Sequence, residues 1–527
     1  MTRFAIGVLL VLLALGAGGE ARAAGSDAGG SLRGLNRAVA AQRLSPLDAH
    51  EHRERVLLAL RILERLPSDR RMALAAVLRD VAAQAPAYDA PRALTLFATL
   101  ELNAKHLLRD RIPAPGHDVS DGLGVVYRSV PGRGLRFHPL GSFGQLNAYV
   151  TAGRQREATS LAYALLARAH ANGDELTWEY GFRAAGGEPP WTSGMAQAVA
   201  AQALARAGLV PEARAAFAAI PGPLLNDRPT GTWIRLYAFS DIAVLNAQLQ
   251  AALSLADYAR LAEDERAARL AADLRRTALR ALPAFDTGYW SRYALGGSEA
   301  PLSYHQYVTS LLWKLARSTG NDRWAGQAAR FRDDWRRPPA IRALAATSPS
   351  LPVPHDGFRD TAAIRFWLSK PASVEITVGG ERLSRRLGPG FRTVLWEPGE
   401  RSAGRYPVEL AAVDRVGNRT ETPLEPIVVA RDTTPPDLRA AADERRVFWR
   451  AQDRETPWLT VEIELRRGGV TRVVRLPRGA LDGSHRLALR RPWYATVSAR
   501  DSSGNTSAVA LGRIGPSWKE LAAARVE

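Results

Sequence analysis

The 527-residue sequence contains no cysteine. A disulfide framework, a thiolate metal site and a cysteine nucleophile are therefore excluded, and each domain must be held by its hydrophobic core alone. Lysine is almost as scarce: of 71 basic residues only Lys105, Lys314, Lys370 and Lys519 are lysine, the others being arginine. The basic residues are scattered instead of forming runs, and a basic helix or an aromatic RNA-binding signature is missing, which argues against nucleic acid as a partner. After the N-terminal segment no stretch is apolar enough to span a bilayer.

What is present points outward. Arg3 precedes the unbroken apolar run Phe4 to Leu15, and Ala21-Arg22-Ala23 supplies small residues where a signal peptidase reads. The expectation is a cleaved signal peptide over 1–23 and a secreted or cell-surface protein. An uncleaved anchor is the alternative, but the run is shorter than the roughly 20 residues that cross a bilayer. The formal net charge is +18, from 71 basic against 53 acidic residues. With nucleic acid set aside, an acidic polysaccharide fits this excess, because arginine forks bind carboxylate and sulfate bidentately.

From about Ser45 to Trp335 the chain is a succession of Ala/Leu/Arg-rich segments with apolar residues three and four apart, which predicts helices. They include 52–66, 70–83, 156–171, 193–207, 241–255, 266–282 and 303–318. Several end in arginine followed by glycine, as in Ala203 to Gly208 and Leu315 to Gly320, a helix stop in which the cation faces the negative helix end. Repeated helix pairs of this kind predict an all-α (α/α) toroid over 24–340. Long connectors rich in aromatic, glycine and proline residues separate the helices, at 127–143, 176–192, 221–240 and 285–301, and connectors this long are where a site is expected.

After Arg337-Pro338-Pro339 the pattern changes to short alternating strands. One set ends in Asp414-Arg-Val-Gly417-Asn418; a second begins after Asp432 and ends in Asp501-Ser-Ser-Gly504-Asn505. Two all-β sandwich modules are expected, over 341–431 and 432–515, with a tail over 516–527; they resemble immunoglobulin-like or fibronectin type III folds. The Asp and Asn of these turns read as hairpin chemistry instead of calcium ligands. No metal and no cofactor are expected, and the sandwiches are candidates for cell-surface glycan contact.

The connectors carry a further pattern. In order come Phe137-His138-Pro139-Leu140-Gly141-Ser142-Phe143-Gly144-Gln145-Leu146-Asn147, Trp178-Glu179-Tyr180, Pro190-Trp191-Thr192-Ser193-Gly194-Met195-Ala196-Gln197, Phe285 to Leu295, and Ser303-Tyr304-His305. Together, over roughly Tyr127 to Trp335, these resemble the C-terminal domain of D-glucuronyl C5-epimerases, which invert C5 of glucuronate units in heparan-type chains. The resemblance implies that Tyr293 and Tyr304 match tyrosines of an active-site cleft. There is a departure: the family carries acidic residues after the tryptophan of a segment that reads here Trp233-Ile234-Arg235-Leu236-Tyr237, with Asp241 near enough in sequence to take their place.

The chemistry sets its own demands. The hydrogen at C5 of a uronate is α to the carboxylate, so its removal needs that charge neutralised by arginine or strong donors. Inversion then needs two acid/base groups on opposite ring faces, and tyrosines qualify once a neighbouring cation lowers their pKa. The expected catalytic set is Tyr293, Tyr304, Tyr289 and His305. The expected substrate-binding set is Arg292, Trp191, Glu179, Tyr180, Tyr237, Arg235 and Asn147. Tyr304 also begins an apolar stripe with Val308, Leu311, Leu312 and Leu315, the pattern of a helix core. Glu179 could equally serve as the partner of an arginine. Alternatives to an epimerase are a lyase with the same first step and a non-catalytic glycan-binding protein. A glycoside hydrolase is disfavoured, since Glu179, Glu188, Asp241 and Asp286 in and beside the connectors are weak candidates for its carboxylate pair.

Overall fold

The structure is a computed structural model describing residues 12–344, 349–477 and 479–516, with side chains from residue 23. It divides into two compact units, Met1–Trp335 and Arg336–Glu527. Residues 1–11 of the expected signal peptide lie outside the described residues, as does the tail from 517. Among the described residues no helix is long and apolar enough to cross a membrane.

The first unit is helical. It opens with α1 (Leu12–Ala40), α2 (Pro46–Leu63), α3 (Ser68–Ala83) and α4 (Ala90–Arg109), which close over a core of their own that includes Leu35, Val56, Leu74, Tyr88 and Phe97. Helix α1 runs on across the expected processing site after Ala23. Four helical hairpins follow: α5 (Pro139–Thr151) with α6 (Gln155–Leu166), α7 (Gly194–Arg206) with α8 (Val210–Ala218), α9 (Leu245–Ala262) with α10 (Glu265–Ala281), and α11 (Leu302–Thr319) with α12 (Asp322–Arg336). Inside each hairpin the joint is only two or three residues long, whereas each hairpin is reached through a connector of twenty or more. Gly153, Gly208 and Gly320, all at positive φ, make three of the tight joints, and Glu263 takes the same left-handed conformation in the fourth.

Helices α5, α7, α9 and α11 pack in sequence against one another, with alanine-rich faces that let the axes approach; Ala198, Ala200, Ala201, Ala247, Ala251 and Ala252 are fully or almost fully buried. The long connectors carry three small antiparallel sheets: β1 (Asp118–Ser120), β2 (Val126–Val130) and β3 (Gly134–Phe137); β4 (His170–Asn172) and β5 (Glu175–Thr177); β6 (Leu225–Arg228) and β7 (Gly231–Ile234). Gly173 sits between β4 and β5 at φ 57°, a turn conformation that glycine adopts without strain.

The second unit is all β. Strands β8 (Ile341–Ala343), β9 (Ala362–Leu368) and β12 (Gly390–Trp396) form one sheet in the order β12-β9-β8. Strands β10 (Ala372–Val378), β11 (Glu381–Leu387), β13 (Gly404–Val413) and β14 (Arg419–Val429) form the other, in the order β11-β10-β13-β14. The alternating side chains of both meet in one core, with Ile364, Phe366, Ile376, Trp396 and Leu410 buried. The same topology repeats: β15 (Asp437–Ala442), β16 (Arg446–Gln452) and β19 (Asp482–Arg486) make the smaller sheet, while β17 (Thr460–Arg467), β18 (Val470–Arg475), β20 (Trp493–Arg500) and β21 (Thr506–Ile514) make the larger. Their core is built on Val447, Trp449, Ile463, Leu465 and Val497. The β-rich region fits two immunoglobulin-like or fibronectin type III-like modules.

Candidate functional site

The long connectors preceding α5, α7, α9 and α11 bind one another, so these four helices present their N-termini at the same end. The Tyr180 hydroxyl accepts from Leu140 N–H, Gly194 N–H donates to Arg235 O, Ala238 N–H to Thr192 O, and Leu295 N–H to Ala243 O. Four helix N-termini side by side place partial positive charge at one end, which favours an anion there.

The centre of this end is aromatic. Tyr180 and Trp191 stack face to face with centroids 4.1 Å apart, Tyr237 meets Trp191 edge-on at 5.3 Å, and Phe239 stacks on Tyr237. Tyr180 and Trp191 are buried, with the indole N–H of Trp191 held by Phe182 O at 2.7 Å. They are therefore the packed floor of the region, and the expected stacking of a sugar on Trp191 or contact with Tyr180 is not available from this arrangement. Tyr237 and Tyr293 are half-buried. Burial, followed by the nearby Tyr237, raises the pKa of Tyr293 above the ordinary tyrosine value. Tyr293 packs at 4.7 Å against Tyr304.

Tyr304 and His305 prove structural. The Tyr304 hydroxyl donates to Tyr293 O at 2.8 Å and accepts from Asn246 N–H at 3.1 Å, and its ring is buried at the head of the α11 core stripe. Burial again raises its pKa. His305 is fully buried, stacked on Trp290 at 4.0 Å, with Nδ1 accepting from Ser291 N–H and Nε2 bonded to Phe331 O at 2.7 Å. A ring so held cannot reach a substrate. The expectation that a cation lowers these tyrosine pKa values is also overturned: desolvation dominates at Tyr293 and Tyr304, and Arg292 donates to Gly297 O at 2.8 Å.

Tyr289 has a partner that the sequence did not single out. Its hydroxyl donates to Glu299 Oε1 at 2.6 Å, across a loop closed by the Asp286–Ser291 and Arg292–Glu299 pairs. Ten residues of separation hide this pair until the loop is folded back on itself. Asn246 was missed too: it lies in the first turn of α9, and its side-chain oxygen is buried without a hydrogen-bond partner.

The remaining candidates fall elsewhere. Glu179 takes both nitrogens of an Arg92 fork at 2.9 and 3.0 Å, and its other neighbour is His170, 3.1 Å away. Burial works against charge on His170, but its bonds to Asp89 and Glu179 and their charges outweigh it and hold its pKa at about 9. Burial likewise opposes ionisation of Glu179, and His170 and Arg92 overcome it to keep the carboxyl ionised. Glu179 is thus the ion partner of an arginine. Arg235 pairs with Asp241, whose side chain is largely exposed, so the two residues at the point of departure from the family satisfy each other. Asn147 lies on α5 in a separate polar chain that joins Arg206 and Gln202 of α7, Ser254 and Gln250 of α9 and Tyr307 of α11.

The fold and site define a helical hairpin array carrying a tyrosine-lined connector face, followed by two sandwich modules. Residues 215–333, which hold α9, α11 and the connectors with Tyr237, Tyr289 and Tyr293, match the family model of the D-glucuronyl C5-epimerase C-terminus. That match supports a carbohydrate epimerase-like enzyme. No curated protein matches the chain. Among solved structures the chain is similar to a sugar epimerase from a ruminal bacterium at 12% identity, over 46% of this chain and 72% of that one, with a TM-score of 0.32. It is similar to cellobiose 2-epimerase from Bacillus thermoamylovorans at 10% identity, over 50% and 74%, with a TM-score of 0.32. The fibronectin(III)-like modules of Clostridium thermocellum CbhA are similar at 15% identity, over 34% and 93%, with a TM-score of 0.16. Scores this low carry no inference about chemistry.

Proposed function

We propose that the helical unit is an α/α toroid enzyme of the C5-epimerase type, exported from the cytoplasm, that inverts C5 of uronate units in an acidic polysaccharide. The observation that carries this reading is Tyr293: half-buried, beside Tyr237, within the family-matched segment and at the end where four helix N-termini gather. The substrate carboxylate is assigned to those N-termini, whose partial positive charge offsets the charge that opposes proton loss at C5. The Tyr293 phenol, protonated at neutral pH, is assigned as the acid that delivers a proton to C5. The base is assigned to Tyr289 with Glu299: the carboxylate takes the phenol proton as the phenolate takes the hydrogen from C5. The basic excess of the chain supports an anionic partner.

The test follows one hydrogen. A glucuronate-containing polysaccharide incubated in heavy water with the enzyme is expected to gain deuterium at C5, in sugars of both configurations, with chain length unchanged. Chain shortening with an ultraviolet-absorbing unsaturated uronate identifies a lyase instead. Retention of the glycan without exchange identifies a binding protein, the reading favoured by the Arg235–Asp241 pair standing where the family has free acidic residues.

A further inference from the structure

The two sandwiches end in the same turn, and the turns are built alike. In each, the aspartate N–H donates to the asparagine carbonyl, the glycine N–H donates to the aspartate carbonyl, and the asparagine side chain donates back to the aspartate carboxylate, at 3.0 Å from Asn418 to Asp414 and 2.8 Å from Asn505 to Asp501. The hairpin reading of both turns holds. What surrounds the two carboxylates differs.

In the first module, Lys370, in the connector between β9 and β10, reaches Asp414 Oδ2 at 3.3 Å and also donates to Arg337 O just before β8. Both side chains are buried, and the ammonium neutralises the carboxylate. By the shared topology, the corresponding places in the second module are the connector between β16 and β17 and the segment before β15. They hold Asp453 and Asp432. Where the first module has one negative and one positive charge, the second has three carboxylates.

Each of the three has its Oδ1 held by a backbone N–H, and Asp501 Oδ2 is held as well by the Asn505 side chain. Asp432 Oδ1 accepts from Thr434 N–H, Asp453 Oδ1 from Glu455 N–H, and Asp501 Oδ1 from Asn505 N–H. The second oxygens of Asp432 and Asp453 are buried without any hydrogen-bond partner, and Asp432 as a whole is 9% exposed. One carboxylate oxygen from each residue lies within 4.8 Å of the other two. An ion holding oxygens at about 2.3–2.6 Å keeps them no more than about 5 Å apart.

We infer that Asp432, Asp453 and Asp501 bind a calcium ion, which does in the second module what the Lys370 ammonium does in the first. Calcium is the ion that fits: every donor is a hard oxygen, there is no imidazole or thiolate, and water completes the six to eight ligands it takes. The ion would tie the inter-module segment at Asp432 to two loops of the second sandwich. The metal-free expectation from sequence rested on the turn alone, which supplies one of the three ligands.

The test uses the full chain, stripped with chelator and titrated with calcium chloride. One calcium is expected to bind per chain by calorimetry, with a dissociation constant on the order of 0.1–1 mM, as in extracellular modules, and magnesium much more weakly. The melting transition of the β unit is expected to rise by several degrees in excess calcium. Asp432→Asn and Asp453→Asn are expected to lose that rise. Asp453→Lys, which puts an ammonium at the place Lys370 holds in the first module, is expected to melt in chelator no lower than the unsubstituted chain and to ignore calcium. Failure of the unsubstituted chain to bind calcium or to melt higher with it overturns the inference, and such a result identifies a shared proton as the relief of the cluster. Binding that persists unchanged in Asp432→Asn overturns it as well.

Discussion

The hydroxyl of Tyr304 is spent on the backbone of Tyr293, donating to its carbonyl at 2.8 Å while accepting from Asn246 N–H. One tyrosine thus fixes the position of the other, and the two substitutions to phenylalanine should separate. Tyr304→Phe leaves two backbone groups without their partner and is expected to cost about 1–2 kcal/mol of stability, read by urea denaturation. Tyr293→Phe keeps the packing ring and is expected to leave stability within about 0.5 kcal/mol while reducing the appearance of deuterium in the inverted sugar by at least about 100-fold. Normal inversion in Tyr293→Phe removes this residue from the mechanism.

Tyr289 and Glu299 form the other half of the proposed proton path. Glu299→Gln keeps a hydrogen-bond acceptor for the hydroxyl but cannot take its proton, so exchange is expected to fall about 100-fold or more with folding intact. A rate equal to that of the unsubstituted enzyme assigns the base elsewhere.

His170 predicts a pH dependence. Its folded pKa of about 9 lies above the ordinary value of 6.5, so the stability it contributes is complete below about pH 6.5 and is lost as pH rises through about 9. Denaturation of the helical unit at pH 6, 7.5 and 9.5 is expected to show this decline. His170→Gln should flatten it, and a slope unchanged in that variant contradicts the assignment.

Glu179→Gln separates ion pairing from substrate contact. Loss of the charge facing the mostly buried Arg92 and His170 is expected to destabilise the helical unit by about 2–4 kcal/mol, with glycan affinity unchanged at a temperature where the variant is folded. Weakened affinity without destabilisation returns Glu179 to the binding set.

Much of this architecture was legible because apolar periodicity survives in a single sequence. The helices from α6 to α11 that lie within the periodic segments, and the strands of both sandwiches, have a buried face written at spacing three to four or two. Helix α5 was hidden inside an expected connector, since Pro139, Gly141 and Gly144 read as loop residues; in the structure Pro139 starts the helix and His138 Nδ1 caps Gly141 N–H at 2.9 Å. The small sheet β1-β2-β3 was hidden for the same reason.

The site was less legible than the fold. Proximity in sequence suggested Tyr304 and His305, but side-chain direction decides function, and on α11 both residues turn into the core. The Tyr289–Glu299 pair and the Asp432, Asp453 and Asp501 cluster depend on loop closure and on strand pairing between distant segments, and periodicity carries no trace of either.

The alternation of two- or three-residue joints with long connectors places every link between one hairpin and the next at the same end of the helical unit. Each hairpin is closed at the other end by a turn too short to change its angle. Under the proposed function, admission of a long polymer would fall to rearrangement of the connectors, the same segments that carry Tyr237, Tyr289 and Tyr293. Entry of the chain and assembly of the acid and base would then be a single mechanical event.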